Sequence, residues 1–402
     1  MLLPRAALGE AVRSDGRLAT LRGVIYLDHA STTPPLPGAL EAMATTAAQI
    51  WADPSRLYTD ARRARIALDA ARDDVARVIG ARADEIVFTS GGTESCNLGV
   101  VAGARAAVAA RKPARVVVSA VEHTAVLEAA RSLEREGIEV VMLPVDRDGM
   151  VDLDRLRDSC AAGAGLVSLQ TANQEVGTIQ PVASAAAIAR EAGALVHTDA
   201  CMTVGHLATD VGALGVDMLS ASAHKAYGPR GAGLLWVRRG VRVRPVLPGD
   251  DRERSRRAGL ENLPALAGMA AALQARTSEI DDEGPRLRAL TDRLRAELPV
   301  LVSDLVVHGH PIERLPSMVA FSVLYIEGEA LLLGLDQKGI AVHSGSSCTS
   351  STSEPSHVLA AMGALTQGSI RMSLGRSSTA DDVEIFLREL PPLVEHVRRL
   401  AG

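Results

Sequence analysis

The stretch EIVFTSGGTES (Glu85–Ser95) contains the first predicted strand and the start of the helix that follows it, in a sequence where strands and helices alternate. Its apolar start is typical of a buried strand, and the glycine pair after it turns the chain toward a helix predicted over Ser95–Arg111. The alternation continues to about Val237. Further strands are predicted at RVVVS (Arg115–Ser119), EVVML (Glu139–Leu143), LVSLQT (Leu166–Thr171), ALVHT (Ala194–Thr198) and DMLSAS (Asp217–Ser222). Further helices are predicted at Ala125–Glu136, Asp154–Ala161 and Ser184–Ala192.

Most of these strand runs are almost entirely apolar, which is typical of strands covered on both faces. Strands that alternate with helices form βαβ units, so we predict an α/β fold with a mostly parallel sheet and helices on both faces. After about Gly268 the pattern changes to long amphipathic helices with fewer strands, which indicates a smaller α+β domain. These helices are predicted at Pro285–Leu298, Glu327–Lys338 and Ala380–Leu400.

The composition is ordinary for a globular enzyme and restricts the partners that the protein can have. Apolar residues make up 47% of the 402 residues, and the net charge is −5 with arginines interspersed among acids, which argues against a basic nucleic-acid-binding face. No apolar run approaches the roughly 18 residues of a membrane span, and residues 1–23 lack a signal-peptide core. We therefore expect a cytoplasmic protein with no direct nucleic-acid contact, no membrane contact and an N-terminal extension at residues 1–23.

The four cysteines are Cys96, Cys160, Cys201 and Cys348, and no two of them are close in sequence. This spacing contains neither a zinc knuckle nor a CxxC redox motif, so no metal site is predicted. Cys348 lies in a run of small hydroxyl residues, Ser344–Ser353, where a core cysteine is not expected. The other three thiols are interpreted as structural, although Cys201 follows Asp199 closely.

Polar residues follow five of the predicted strands, where the ends of parallel strands meet at one edge of the sheet. Ligands of open α/β sheets bind at that edge. The segments are SGGTES (Ser90–Ser95), VEH (Val121–His123), ANQEVG (Ala172–Gly177), Asp199, and the group Ser222, His224 and Lys225. Gly91-Gly92-Thr93 opens a helix and has the features of a phosphate site, although such a turn on its own is more often only a turn.

Lys225 is one of only three lysines in the chain, the others being Lys112 and Lys338, whereas 40 residues are arginine. A primary amine condenses with an aldehyde to form a Schiff base, and a guanidinium does not. A phosphate site, such a lysine and a carboxylate at a strand end together indicate pyridoxal 5'-phosphate as the cofactor. Asp199 is the carboxylate expected to hold the proton on the pyridine nitrogen, although alone it would be interpreted as a turn or helix cap.

Seven motifs then identify a family resemblance that extends from about Tyr26 to Arg399. In chain order and family spacing they resemble those of the cysteine desulfurases, which belong to the class V aminotransferases, a branch of the fold type I pyridoxal-phosphate enzymes. The form SGSSCTS is similar to the subgroup with a longer cysteine loop. The motifs are YLDHASTTP, EIVFTSGGTES, EHTAV, HTDA, SASAHKAYGPRGAG, HSGSSCTSSTSEPSHVL and SIRMSLGR.

The resemblance implies a role for each matching residue. Lys225 would bond the cofactor covalently, Asp199 would pair with its ring nitrogen, and His123 would stack on the ring and shuttle protons. Arg371 and Asn173 would bind the substrate, L-cysteine, and Cys348 would take its sulfur as a persulfide and release alanine. The remaining cofactor-binding residues are Gly92, Thr93, Gln174, Ser222 and His224.

The resemblance also implies an organisation and partners. It predicts a fold type I transferase whose large domain, residues 34–275, binds pyridoxal phosphate on a seven-stranded sheet. A small domain would comprise residues 24–33 and 276–402. A homodimer and a sulfur-acceptor protein are expected. The acceptor is not identified by the sequence: iron–sulfur clusters, tRNA thiolation and DNA phosphorothioate modification all use such enzymes.

The chain departs from the family pattern at several positions near the cofactor. Gln174 stands where the family has Asn, Met202 where it has Gln, and Leu260 where it has Thr. Met202 cannot donate the hydrogen bond that the usual Gln gives to the phenolate oxygen, so we hypothesise that Gln174 donates it instead. These departures favour a specialised pathway, such as DNA phosphorothioate modification. The alternatives are another pyridoxal-phosphate lyase or transaminase, such as selenocysteine lyase, and a non-enzymatic scaffold that retains the fold.

Overall fold

A computed structural model of the protein describes residues 24–344, 348–349, 352–353 and 355–401. The predicted extension at residues 1–23 lies outside the described residues. No helix within residues 24–344 and 355–401 is both long and apolar enough to cross a lipid bilayer.

The described part of the chain alternates strands and helices up to residue 237 and is mainly helical beyond residue 250. The strands are β1 (Ile25–Tyr26), β2 (Ile86–Thr89), β3 (Arg115–Ser119), β4 (Glu139–Leu143), β5 (Leu166–Ser168), β6 (Leu195–Asp199), β7 (Met218–Ser222), β8 (Gly233–Val237), β9 (Leu305–His308), β10 (Met318–Val323), β11 (Ile340–Ala341), β12 (Cys348–Thr349), β13 (Thr352–Ser353) and β14 (Ser369–Ser373). The right-handed α-helices are α1 (Pro37–Gln49), α2 (Thr59–Val78), α3 (Gly92–Asn97), α4 (Gly103–Ala109), α5 (Thr124–Leu133), α6 (Leu153–Ala161), α7 (Val182–Glu191), α8 (Val211–Leu214), α9 (Leu263–Thr277), α10 (Ile280–Leu301), α11 (Gly328–Gln337), α12 (His357–Ala361) and α13 (Ala380–Ala401). Arg252–Ser255 forms a short turn with left-handed residues.

The central sheet has seven strands in the order β2-β8-β7-β6-β5-β3-β4. Strand β8 runs antiparallel to both of its neighbours, and every other pair is parallel. Because β8 is reversed relative to both β2 and β7, those two strands point the same way. The carboxyl ends of β2, β3, β5, β6 and β7 therefore lie at one edge of the sheet. The prediction of an α/β fold with a mostly parallel seven-stranded sheet is confirmed.

Both faces of this sheet are buried in apolar cores, as the apolar strand sequences predict. Ile86 and Phe88 of β2 face the core that includes α2, α7 and α9, whereas Val87 faces the core that includes α3, α4 and α5. The middle of the sheet also contains a buried polar bridge. His197 of β6 is hydrogen-bonded through its two ring nitrogens to Ser168 of β5 at 2.8 Å and to Ser220 of β7 at 2.9 Å.

A second sheet lies in the C-terminal part of the chain, with the antiparallel order β14-β10-β9. Its core includes residues of α10, α11 and α13 together with Leu27, next to β1, which pairs in parallel with β11. The boundaries at residues 34–275, 24–33 and 276–402 stay a prediction. The long helices α1, α2 and α9 were missing from the sequence prediction, and α10 extends beyond both ends of the predicted Pro285–Leu298 helix.

Candidate active site

The turn after β2 is held by a compact set of hydrogen bonds. The Thr89 and Ser95 hydroxyls lie 2.6 Å apart, and Ser95 Oγ donates to the carbonyl of Gly91 at 2.9 Å. Helix α3 begins at Gly92 without a side-chain cap, so its first N–H groups are not used by a capping side chain. A Cβ atom at Gly92 would lie 2.7 Å from Cys201 Sγ and 3.3 Å from Ser222 Cβ. Glycine is therefore required for this close approach.

Two hydroxyl residues and one histidine were also predicted to bind the phosphate. Ser222 ends β7, and its hydroxyl is buried without any hydrogen-bond partner in the described part of the protein. Thr93 is exposed in the first turn of α3. His224 is half-buried, and burial lowers the pKa of its imidazole to about 4. A buried hydroxyl without a partner and free helix N–H groups fit a bound phosphate.

Asp199 ends β6 and is buried at 8% exposure. Its Oδ1 accepts the backbone N–H of Cys201 at 2.9 Å, which fixes the orientation of the carboxylate. Burial alone would raise the pKa of Asp199, but hydrogen bonds from Cys201 and then the electrostatic effects of His123 and Lys225 outweigh it and hold the pKa below its usual value. The carboxylate is therefore ionised, as an anion that pairs with a protonated pyridine nitrogen must be.

Lys225 follows β7 by three residues and is half-buried. Its Nζ contacts Met202 Sδ at 3.5 Å and forms no ion pair with an acid in the described residues. The two other lysines are paired elsewhere: Lys338 with Glu389 at 2.7 Å, and Lys112 with the carbonyl of Gly193. Of the three amines, Lys225 is thus the one at the carboxyl edge of the sheet, and it has no anionic partner among the described residues.

His123 caps helix α5, where its Nδ1 accepts the backbone N–H of Ala125 at 3.0 Å. This bond assigns the ring proton of the neutral imidazole to Nε2. Burial, followed by the charge of Lys225, lowers the pKa of His123. Its Nε2 is therefore available as a proton donor while Nδ1 is occupied by the helix.

The loop after β5 carries Asn173 and Gln174, and both are buried. The Asn173 amide donates to the carbonyl of Val121 at 2.9 Å, and its oxygen accepts the N–H groups of Glu175 and Val176. These bonds engage the Asn173 side chain with its own loop and with the loop after β3. The Gln174 side chain hydrogen-bonds the Glu175 carboxylate. The substrate role of Asn173 and the cofactor role of Gln174 stay predictions.

Arg371 lies on β14 and joins three segments that meet at the site. Its Nη2 donates to Asp28 at 2.6 Å and to Ser31 at 2.7 Å, and its Nη1 donates to the carbonyl of Gln174 at 3.0 Å. Its Nε is buried without a partner among the described residues. The guanidinium is thus held rigidly beside the loop after β5, with donor capacity left for a carboxylate.

The predicted nucleophile Cys348 lies on β12, which pairs with β13 as a two-stranded antiparallel hairpin. Its side chain lies outside the described part of the protein. Both flanks of the segment reach the site. His343 exchanges backbone hydrogen bonds with Arg371, Ser356 Oγ donates to Glu175, and His357 Nε2 lies 2.9 Å from the carbonyl of Glu122.

The sequence interpretation missed a group formed by Cys96, Asp199 and Cys201. One ligand atom from each of the three lies within 4.8 Å of the others, and all three residues are buried. A hydrogen bond with Cys201 and then burial raise the pKa of the Cys96 thiol well above its usual value. The only signal in the sequence was that Cys96 directly follows SGGTES and Cys201 directly follows HTDA.

The residues that converge at this edge fit pyridoxal phosphate. They provide an unpaired buried hydroxyl at Ser222, a glycine turn that admits no side chain, an ionised buried carboxylate at Asp199 and the amine of Lys225 without an anionic partner. Ser222 and the glycine turn match the phosphate of the cofactor, Asp199 matches its ring nitrogen, and Lys225 matches its aldehyde.

Comparison with known proteins agrees with this geometry. Residues 25–386 match the family model described as aminotransferase class-V. The cysteine desulfurase IscS of Dictyoglomus turgidum is 42% identical over 380 residues, which cover 94% of this chain and 96% of the relative. A solved NifS-like protein superposes with a TM-score of 0.86 at 32% identity, covering 93% of this chain and 100% of that one. The structure of SspA in complex with cysteine superposes with a TM-score of 0.75 at 26% identity, covering 87% and 98%. The chain belongs to the class-V aminotransferase family, on its cysteine desulfurase branch.

Proposed function

We propose that the protein is a pyridoxal-phosphate-dependent cysteine desulfurase that converts L-cysteine to L-alanine and leaves the sulfur as a persulfide on Cys348. The observation that carries this proposal is the convergence of Lys225, Asp199 and Ser222 at one edge of the sheet, with the two flanks of the Cys348 segment anchored beside Arg371 and His123. The family comparison supports the same reaction, and the relative SspA, solved with cysteine, supports L-cysteine as the substrate.

The cofactor would be held at three points. The N–H groups at Gly92, the hydroxyls of Thr93 and Ser222, and His224 would bind its phosphate, the Lys225 amine would hold its aldehyde, and the Asp199 carboxylate would keep a proton on its ring nitrogen. When bound, pyridoxal phosphate supplies an electron sink that weakens the bonds at the substrate Cα. Because the pKa of Asp199 is lowered despite burial, its negative charge is present at neutral pH to hold that proton.

Substrate binding and proton transfer would use residues on either side of the cofactor. Arg371, fixed by Asp28 and Ser31, would bind the carboxylate of L-cysteine through its remaining N–H groups. His123 would move a proton at Nε2, since Nδ1 is occupied by the N–H of Ala125. A lowered pKa favours the neutral imidazole at pH 7, so the proton available for transfer is the one on Nε2.

The sulfur transfer itself would use the Cys348 thiolate as the nucleophile. The thiolate attacks the substrate sulfur, a new S–S bond forms, and the Cβ–S bond breaks. The electron pair of the broken bond stays on carbon and is protonated there, which yields alanine. The outer sulfur of the persulfide comes from L-cysteine and is formally S⁰. It is then transferred to an acceptor protein.

The test is to incubate the purified protein with L-cysteine and pyridoxal phosphate, with and without a thiol reductant. We expect equal amounts of sulfide and alanine with the reductant, and about one persulfide per chain without it. Pyruvate, ammonia or a transamination product in place of alanine would overturn the assignment in favour of another lyase or a transaminase. Alanine formation from L-selenocysteine alone would assign a selenocysteine lyase instead. The absence of any turnover, with pyridoxal phosphate bound, would favour a non-enzymatic scaffold.

The partners follow from the same proposal. We infer a cytoplasmic homodimer that delivers sulfur to an acceptor protein. Large apolar side chains on two loops support the dimer: Leu57 and Leu260 are 87% and 59% exposed, and a salt bridge of 2.8 Å between Arg252 and Asp53 joins their loops. Among pathways, the departures at Gln174 and Met202 favour a dedicated one, such as DNA phosphorothioate modification, over iron–sulfur clusters or tRNA thiolation.

A further inference from the structure

The buried group of Cys96, Asp199 and Cys201 brings two thiols and a carboxylate together at a place where the proposed reaction uses only the carboxylate. Cys96 comes from helix α3, Asp199 ends β6, and Cys201 lies two residues further on. Their exposed fractions are 1%, 8% and 7%, and their sulfur and carboxylate oxygen atoms all lie within 4.8 Å of one another. Neither thiol is part of the proposed sulfur transfer, and neither forms a disulfide.

The distances suit a tetrahedral metal ion. Zinc binds thiolate sulfur at about 2.3 Å and carboxylate oxygen at about 2.0 Å, so neighbouring ligand atoms around it lie roughly 3.3–3.8 Å apart. The group is therefore near this spacing already, and its ligand atoms need to approach one another by about 1.5 Å at most. The carboxylate is also oriented in advance, because the N–H of Cys201 holds Asp199 Oδ1 at 2.9 Å.

The donor types restrict which cation fits. Two thiolates and one carboxylate favour thiophilic ions such as Zn²⁺, Co²⁺ and Cd²⁺ over Mg²⁺ or Ca²⁺, which prefer oxygen. Binding would release the two thiol protons to solvent, and three ligands with a charge of −3 would hold one divalent ion. The contact between Cys201 Sγ and the position of a Cβ on Gly92 places this sulfur against the phosphate turn as well.

We propose that Cys96, Asp199 and Cys201 form a binding site for one thiophilic divalent cation in the cofactor-free protein, with water in the fourth position. The cation and the pyridine nitrogen of pyridoxal phosphate would compete for the Asp199 carboxylate. This second statement rests on the proposed function of Asp199, whereas the metal site itself does not. A cation bound there would keep the protein in a form that cannot load its cofactor.

The experiment is a titration of the full-length, cofactor-free protein with Co²⁺, in the presence of a phosphine reductant that keeps the thiols reduced. We expect one equivalent to bind with the visible absorption of tetrahedral cobalt and a sulfur-to-metal band, and Zn²⁺ to displace it. Cys96→Ser and Cys201→Ser should each weaken metal binding by at least about 10–100-fold. Mutating a residue that only hydrogen-bonds a metal ligand costs this much, and removing a ligand should cost no less. Cys160→Ser and Cys348→Ser, which remove the other two thiols, are the matched controls.

A measurement on the unaltered protein makes the result independent of how the variants fold. Bound Zn²⁺ should protect Cys96 and Cys201 from alkylation, and leave the alkylation of Cys348 unchanged. Equal Co²⁺ affinity in the Cys96→Ser/Cys201→Ser protein, or no protection of either thiol, would overturn the site. A third outcome is that the metal binds but pyridoxal phosphate does not lower the affinity of the protein for the metal. That result would support the metal site, and it would contradict both the competition and the proposed contact of Asp199 with the ring nitrogen.

Discussion

At the scale of single residues, two buried carboxyl groups near the candidate site have opposite pKa shifts. The pKa of Asp199 is lowered, whereas burial and the nearby charge of Asp199 raise the pKa of Glu122 well above its usual value. Glu122 accepts one backbone N–H, from Gln170, and its other oxygen has no partner among the described residues. Asp199 is therefore the more acidic carboxyl group of the pair, and its contact with the cofactor stays a prediction. The sequence gave no signal for the raised pKa of Glu122.

Lys225→Ala should abolish the visible absorption that bound pyridoxal phosphate gives to the protein. The amine is the group that condenses with the aldehyde, so Lys225→Arg should lose the band equally although it keeps the positive charge. The check is an absorption spectrum after incubation with the cofactor and gel filtration. Lys112→Ala and Lys338→Ala, which alter surface contacts with Gly193 and Glu389, should keep the band. A full-strength band in Lys225→Ala would refute the assignment.

Cys348→Ser should bind pyridoxal phosphate normally and lose sulfide production by roughly a thousandfold or more, as expected when a nucleophile is removed. A hydroxyl is a far poorer nucleophile toward sulfur than a thiolate. The measurement is sulfide release from L-cysteine together with the cofactor dissociation constant. Cys160→Ser, a change at a buried cysteine of α6, is the control. Normal sulfide release from Cys348→Ser would show that another thiol is the nucleophile.

Gln174→Ala should weaken the binding of pyridoxal phosphate by about 1.5–3 kcal/mol, the value of a hydrogen bond to a charged group. Our hypothesis is that Gln174 supplies the bond that Met202 cannot, and Met202 Sδ does lie beside Lys225 Nζ at 3.5 Å. Adding Met202→Gln to Gln174→Ala should restore much of the loss. The measurement is the dissociation constant of pyridoxal phosphate from absorption titrations. An unchanged dissociation constant in Gln174→Ala would contradict the hypothesis.

At the scale of elements, six of the seven strands in the central sheet were predicted from the sequence, whereas β8, the strands of the C-terminal sheet and the order of the strands were not. Each predicted strand is present, because a run of apolar residues between turn signals identifies a buried strand locally. The run LVSLQT forms a shorter strand than predicted, ending at Ser168. The insertion of β8 between β2 and β7 depends on pairing over long sequence distances, which no local pattern records. The meeting of Cys96 with Cys201 follows from that order and was missed for the same reason.

Gly92→Ala tests the turn that joins β2 to α3. The new Cβ would lie 2.7 Å from Cys201 Sγ and 3.3 Å from Ser222 Cβ, so the turn must move away from the phosphate position. We expect a loss of cofactor affinity of at least about tenfold and a destabilisation of about 1–3 kcal/mol. Gly38→Ala, in helix α1 with no atom within 4 Å of its Cβ, is the matched control. It should be neutral or stabilise the protein by up to about 1 kcal/mol. Equal behaviour of the two variants would contradict the packing argument.

At the scale of the whole molecule, buried neutral histidines make stability depend on pH. Burial lowers the pKa of His197, in the middle of the central sheet, to about 4, and it lowers the pKa of His29, beside the C-terminal part of the chain, to about 4. In the unfolded chain a histidine titrates near pH 6.5. The unfolded state therefore binds more protons than the folded state between these values, and stability falls as the pH decreases from about 6.5 toward 4.

We predict that urea unfolding of the protein shows this loss, with on the order of 1–3 kcal/mol from each fully buried histidine. His197→Asn should lower stability at pH 7, because the bonds to Ser168 and Ser220 change, and should also make the pH dependence shallower. His396→Gln, at an exposed position of α13, is the control and should leave the pH dependence unchanged. A parallel pH profile for His197→Asn and the unaltered protein would contradict the prediction.

The position of β8 has a consequence for how the protein is made on the ribosome. Within the sheet, β2 pairs with β8 and with no other described strand, and β8 follows it by about 140 residues. At a translation rate of about 5–20 residues per second, β2 waits roughly 7–30 s for this partner. The glycine turn after β2 and the lysine after β7 can face each other only when Val237 has left the exit tunnel. We therefore expect loading with pyridoxal phosphate to be a late event in synthesis, and until then the apolar strand β2 lacks its partner in the sheet.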